Sequence, residues 1–273
     1  MVREITRDTT LCMSLAGRPG TFGTRFHNFL YGELGLDYVY KAFTTSDLPG
    51  AIAGVRALGI RGCAVSMPFK EAVIGLLDEL DASAAAIGSV NTIVNDGGHL
   101  KAYNTDYVAI QHLIDRHRLD PSRGVVLRGS GGMGKAVASA FRDAGFTRGV
   151  LVARNGAAGA ALAERCGWTW SPERPESQPG DLLVNVTPIG MAGGAEEHAL
   201  AFTPEQIAAA STVFDVVALP AETPLIREAR RQGRPVITGL EVIALQALEQ
   251  FVLYTGVRPT AEQVAAAVAH ARN

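Results

Sequence analysis

Gly129, Gly131 and Gly134 stand at the spacing G-x-G-x-x-G, one residue after the apolar run at 125–127. Between a strand and a helix, that spacing binds a dinucleotide. The first glycine permits a tight turn, the second lets backbone approach a pyrophosphate, and the third lets helix pack on strand. The helix N-terminus adds unpaired N–H groups and the positive end of its dipole. Met133, Ala136, Val137, Ala140, Phe141 and Ala144 recur at helical spacing and supply that helix. Gly129, Ser130, Gly131, Gly132 and Met133 are therefore expected to meet the cofactor. The next strand, 149–152, ends in Ala153-Arg154-Asn155, where Asp or Glu would bond a ribose 2′-OH. A guanidinium instead matches a 2′-phosphate in charge and geometry. Arg154 thus points to NADP over NAD, although an arginine at a loop tip is also commonly just solvated.

Other residues are placed for proton chemistry or polar recognition. Lys70 follows Val65-Ser66-Met67-Pro68-Phe69 and is expected at a helix start beyond a strand end, the usual place for ligands in open α/β sheets. A lysine there opposes the helix dipole, which suggests a functional reason beside the plain surface reading. Asp106 closes Tyr103-Asn104-Thr105-Asp106 before an apolar helical run, where capping is the commonest use of Asp. If the two met, carboxylate and amine would form a proton relay. Asn91 sits in a strand pattern that disfavours Asn, so it faces a site or caps the strand. Gln246 interrupts the apolar face of a C-terminal helix. Thr187-Pro188-Ile189-Gly190 follows the strand at 182–186 and is placed to flank a nicotinamide, or is an ordinary Pro-Gly turn. His112 and His117 are five residues apart, a poor spacing for shared metal ligation, and no metal site is expected.

The elements that position these residues read as α/β. Strands are expected at 11–15, 38–43 and 60–65, alternating with helices at 22–34 and 48–58, a pattern of parallel βαβ units. Asn95-Asp96-Gly97-Gly98 joins 90–94 to 99–103 as a hairpin. A helix at 107–117 leads into the glycine-loop region, where further strands fall at 182–186, 213–217 and 235–238. Helices at 240–254 and 260–271 close the chain. With 273 residues, two domains are expected: 1–106, completed by 240–273, and 107–239. Lysine plus arginine total 25 against 27 acids, which gives no pull toward nucleic acid or an anionic membrane. Three scattered cysteines argue against a disulfide framework and fit a reducing cytoplasm. No stretch is long and apolar enough to span a bilayer, and no signal peptide opens the sequence.

Taken together the motifs resemble the shikimate dehydrogenase family. They are Ser66-Met67-Pro68-Phe69-Lys70, Val90-Asn91-Thr92, Asn104-Thr105-Asp106, the loop from Gly129 to Met133, Arg154, Asn185-Val186-Thr187 and Gly239…Gln246. The resemblance implies an N-terminal α/β substrate domain and a Rossmann-type NADP domain, with Thr187 and Gly239 among the cofactor residues. It implies a catalytic Lys70–Asp106 pair, with Ser66, Asn91 and Gln246 lining the substrate site. The reaction implied is reversible NADP-linked oxidation of the 3-hydroxyl of shikimate, by a cytoplasmic monomer or homodimer acting on a small molecule.

Departures from the family pattern are specific. Its Ser-x-Ser-Pro loop, which grips the substrate carboxylate, falls here near Thr21 and Gly23, so at least one hydroxyl is missing and Thr21 or Thr24 is the expected stand-in. Ala218 stands where a substrate-contacting Tyr is usual, and Glu241 where Gly is common near the nicotinamide. These changes resemble the divergent shikimate dehydrogenase-like branch. Quinate or an amino analogue, the latter paired with Glu241, is the alternative substrate. A non-catalytic NADP-binding regulator is the alternative outside enzymes.

Overall fold

The apolar segments of the N-terminal half are short and bounded by turn residues, which favours strands covered by helices. The computed structural model describes residues 4–173 and 181–272. Along the first part run β1 (Thr10–Leu15), α1 (Phe22–Glu33), β2 (Tyr38–Phe43), α2 (Leu48–Ala57), β3 (Gly62–Val65), β4 (Glu79–Leu80), α3 (Ala82–Ala85), β5 (Thr92–Asp96) and β6 (His99–Tyr103). Helix α4 (Thr105–Arg116) leads to β7 (Val125–Arg128), α5 (Gly132–Asp143), β8 (Gly149–Val152), α6 (Gly156–Cys166) and β9 (Thr169–Ser171). Then follow β10 (Leu182–Asn185), α7 (Pro204–Ala209), β11 (Thr212–Asp215), α8 (Pro224–Arg231), β12 (Val236–Ile237), α9 (Gly239–Thr255) and α10 (Ala261–Arg272). Two compact units result. One runs to Thr105 and resumes at Ala244; the other is Asp106–Ile243.

The first unit is built on a six-stranded sheet in the order β2-β1-β3-β5-β6-β4. It is mixed rather than uniformly parallel: β1 pairs in parallel with β2 and β3, but β3 meets β5 antiparallel. The β5–β6 hairpin turns at Gly97 and Gly98, both at positive φ (60° and 96°), as the Asn-Asp-Gly-Gly sequence requires. The C-terminal helices belong to this unit because Tyr254 lies flat on the sheet. A Cβ at Gly62 would stand 2.3 Å from the Tyr254 ring, so only glycine fits beneath it. Arg61 locks the same corner, donating from Nε to the Tyr254 carbonyl at 3.0 Å and pairing with Asp96.

The second unit carries a six-stranded, fully parallel sheet in the order β12-β11-β10-β7-β8-β9. That is the doubly wound arrangement, whose strand order reverses between β7 and β10. Helix α6 was not expected from the sequence: its buried stripe, Gly159, Leu162, Ala163 and Cys166, is made mostly of small residues, and Asn155 starts it by accepting from the Ala158 N–H. Helices α7 and α8 were likewise unforeseen, being only 6 and 8 residues long. Among the described residues no helix is long and apolar enough to cross a membrane.

Candidate functional site

In the second unit the strand-order reversal opens a cavity of about 360 Å³ at the carboxyl ends of the strands. Its lining includes Gly129, Ser130 and Gly131 from the turn after β7, Arg154 and Asn155 after β8, and Thr187 after β10. The three motif glycines have different reasons to be glycine. Gly129 has φ +121°, and a Cβ there would lie 2.8 Å from the Val186 side chain. A Cβ at Gly134 would stand 2.6 Å from the Gly129 carbonyl oxygen. The protein itself therefore demands these two. A Cβ at Gly131 would meet nothing within 4 Å, so its smallness serves whatever approaches from the cavity. Gly132 and Met133 form the first turn of α5, whose N-terminal N–H groups are of the kind that can receive a phosphate.

A buried polar network holds the Thr187 loop. The Thr187 hydroxyl donates to Asn185 Oδ1 at 2.6 Å, and its N–H donates to the same oxygen at 3.1 Å. Asn185 Nδ2 in turn donates to Asp215 Oδ1 at 3.0 Å. Asp215 also accepts from the Val217 N–H and from the Thr223 hydroxyl, and it is wholly buried. Burial pushes its carboxyl up to about 6 against the three donors, which pull it down. Sequence reading passed over Asp215; the available signal was an acid inside an otherwise apolar strand. Gly239 lies against the Val217 backbone, where a Cβ would come within 2.3 Å, so close packing accounts for that glycine.

In the first unit, backbone pairing gathers several of the predicted residues. The Val90 N–H donates to the Lys70 carbonyl at 2.9 Å, and the Val65 N–H to the Asn91 carbonyl at 2.8 Å. Lys70 thus sits beside Asn91, just past the end of β3, and is half-buried. It does not start a helix. The N–H of Phe69 bonds back three residues, that of Val73 four and that of Ile74 three, so the chain winds as turns into a 3-10 segment at Ile74–Leu76. The dipole argument for Lys70 therefore lapses, while its position beyond a strand end stands.

Asn91 is 2% exposed and its orientation is fixed by chemistry. Oδ1 accepts from the Thr105 N–H at 2.8 Å, a group that can only donate, and from the Thr92 hydroxyl at 2.8 Å. Nδ2 must therefore point the other way, and it has no hydrogen-bond partner within the protein. Asp106 directly follows Thr105 in the first turn of α4 and is buried. Ser66 is exposed at the end of β3, its N–H paired with the Leu15 carbonyl at 2.9 Å. Thr21 stands at the N-cap of α1, yet its hydroxyl makes no capping bond. Gln246 lies half-buried on α9.

Two residues behave otherwise than their sequence suggested. Glu241 does not stand ready for a substrate amine. Its Oε2 accepts from the Thr238 N–H and hydroxyl at 2.9 and 3.0 Å, and its Oε1 lies 2.9 Å from His117 Nε2. Gln250, one turn beyond Gln246, was not singled out; it is buried and donates from Nε2 to the Asn91 carbonyl at 3.3 Å and to Thr92 Oγ1 at 3.1 Å.

A parallel doubly wound unit with a glycine-lined cavity at its switch point, together with a second, mixed-sheet unit, defines a two-unit α/β protein of the dinucleotide-binding class. The chain belongs to the shikimate dehydrogenase family. Residues 21–93 match the family model described as the shikimate dehydrogenase substrate binding domain. The chain is 57% identical over 268 residues to a shikimate dehydrogenase-like protein of Haemophilus influenzae, covering 98% of each. It superposes with a TM-score of 0.84 on a Thermus thermophilus shikimate 5-dehydrogenase in complex with NADP(H) and shikimate, at 31% identity, covering 96% of this chain and 100% of the other. A quinate dehydrogenase of Corynebacterium glutamicum in complex with NAD gives a TM-score of 0.86 at 26% identity, covering 96% of this chain and 98% of that one.

Proposed function

We propose that this protein is an NADP-dependent dehydrogenase that interconverts shikimate, or a close cyclic hydroxy-acid, with its 3-dehydro form. The carrying observation is Asn91 Nδ2: a buried donor of fixed direction, beside Lys70, without a protein partner. Such a group is costly to bury unless a ligand or water oxygen completes it. A ring hydroxyl is a suitable acceptor. NADP fits the second unit by the open side of Gly131, by Arg154 on the cavity wall and by the lack of a carboxylate at the end of β8. When bound, it supplies the hydride acceptor.

Lys70 takes the hydroxyl proton during oxidation and returns it to the nascent alkoxide during reduction. Asp106 orients Lys70 and bonds the neighbouring hydroxyl. Asn91, Ser66, Gln246 and Thr21 hold the remaining polar groups of the ring, while Arg154 takes the 2′-phosphate. The reading with an amino analogue loses its support, because Glu241 is committed to Thr238 and His117. Retention of both Lys70 and Asp106 argues against a non-catalytic regulator.

Steady-state kinetics with NADP and NAD against shikimate and quinate test this reading. Turnover is expected with shikimate and NADP. Arg154→Ala should weaken NADPH binding by roughly tenfold to a hundredfold, as loss of a charge-assisted contact does, and leave NADH binding nearly unchanged. Equal binding of NADH and NADPH by the unaltered protein would remove the cofactor assignment. Absence of turnover with either acid would remove the substrate class.

A further inference from the structure

We infer that Gln250 is a positioning residue for the substrate: it fixes the hydroxyl of Thr92, which orients the Asn91 amide so that its nitrogen faces the ring.

The donors and acceptors follow from their partners: the Thr92 hydroxyl has a second neighbour in the Thr105 hydroxyl at 3.3 Å, but its shorter contact, at 2.8 Å, is to Asn91 Oδ1. Gln250 Nε2 faces the Asn91 carbonyl, a group that only accepts, so the amide nitrogen and not its oxygen must lie there. The same nitrogen donates to Thr92 Oγ1 at 3.1 Å. Thr92 Oγ1 is thereby used as an acceptor, and its own proton goes outward to Asn91 Oδ1 at 2.8 Å. The Thr105 N–H, and its hydroxyl at 3.2 Å, complete the set around that oxygen. Asn91 Oδ1 is saturated with donors, and Nδ2 is left as the group that points away.

The chain is buried throughout. Thr92 and Thr105 are 0% and 1% exposed, and Gln250 is 5% exposed. No water competes readily for such groups, so a donor lost at Gln250 is not replaced from solvent. Gln250 also stands four residues after Gln246, on the same face of α9. One helix face therefore carries a glutamine expected at the substrate and, a turn deeper, the glutamine that braces Asn91. The brace lies wholly within the first unit, so its removal should touch substrate recognition and not cofactor affinity.

This inference rests on the substrate site proposed above. Gln250→Met keeps the volume and removes the donor. In the full-length protein it should raise the shikimate KM by about tenfold with kcat within about twofold, the effect of one misdirected buried hydrogen bond. NADPH affinity, read by fluorescence titration, should be unchanged. Packing loss is separated from bracing by a cycle with Thr92→Val, which removes the relay atom. In that background Gln250→Met should raise KM by less than about twofold further. A KM near that of the unaltered protein, or full additivity with Thr92→Val, overturns the role.

If the unaltered protein turns over neither shikimate nor quinate, the functional reading fails and the brace is read directly. The side-chain amide resonance of Asn91, assigned by its loss in Asn91→Asp, should shift in 15N-labelled Gln250→Met. An unshifted resonance overturns the inference independently of any substrate.

Discussion

The two units solve recognition by different means. The second presents backbone: a turn kept bare by glycine, helix N–H groups, and a cavity at the reversal of a parallel sheet. The first presents side chains brought from distant segments: Lys70 past β3, Asn91 before β5, Thr105 at α4 and Gln250 on α9. A backbone site needs space and strand order, and tolerates wide change elsewhere. A side-chain site needs each amide turned the right way, and so depends on buried partners that touch no ligand.

The sharpest way to break this contrast is Lys70→Met. Loss of the proton acceptor should lower kcat by about a thousandfold, within the range for general acid–base groups, while NADPH affinity stays within about twofold. Stopped-flow turnover and cofactor titration on the same preparation check it. A parallel fall in NADPH affinity would mean the two sites are not built independently.

A second test works through stability in the cofactor unit. The Asp215 carboxyl is raised from an ordinary 3.8 to about 6 by burial. A raised folded value means its favourable contribution is fully present below pH 3.8 and is lost as pH rises through 6. Asp215→Asn removes that dependence. Between pH 4 and 7 the unaltered protein should lose stability relative to the variant by on the order of 3 kcal/mol, at about 1.36 kcal/mol per pH unit. Urea unfolding across that range, followed by Trp168 and Trp170 fluorescence, measures it. A pH-independent difference would mean that the network around Asn185 and Thr187 holds the group ionised.

The smallest effect sharpens the substrate side. A side chain at Gly23 would meet Tyr40 only at ordinary contact distances, 3.6 Å and beyond, and Gly23 lies in the first turn of α1. Gly23→Ser should place a hydroxyl where the family's serine loop falls and lower the shikimate KM severalfold, on the order of one hydrogen bond. An unchanged KM would show that Thr21 already fills that role.

What the sequence made legible follows the same division. The glycine spacing and the Gly97–Gly98 turn could be read because each imposes a local backbone requirement. Lys70 was found but misplaced: Pro68-Phe69-Lys70 looks like a helix opening, whereas mixed three- and four-residue bonds wind it into turns. Gln250 and Asp215 escaped notice because their meaning lies in partners far along the chain. Gln250 is 159 residues from Asn91, and Asp215 is 30 from Asn185. A polar residue recurring four positions after Gln246 inside an apolar helix was the one trace of that brace.

The bare space at Gly131 has a practical consequence. Of the motif glycines it alone lacks a protein atom within 4 Å of where a side chain would begin. A side chain at this position is therefore expected to leave the fold intact. In the proposed dehydrogenase, an alanine there is expected to fold normally and to weaken cofactor binding, which would give cells a full-length competitor for the substrate.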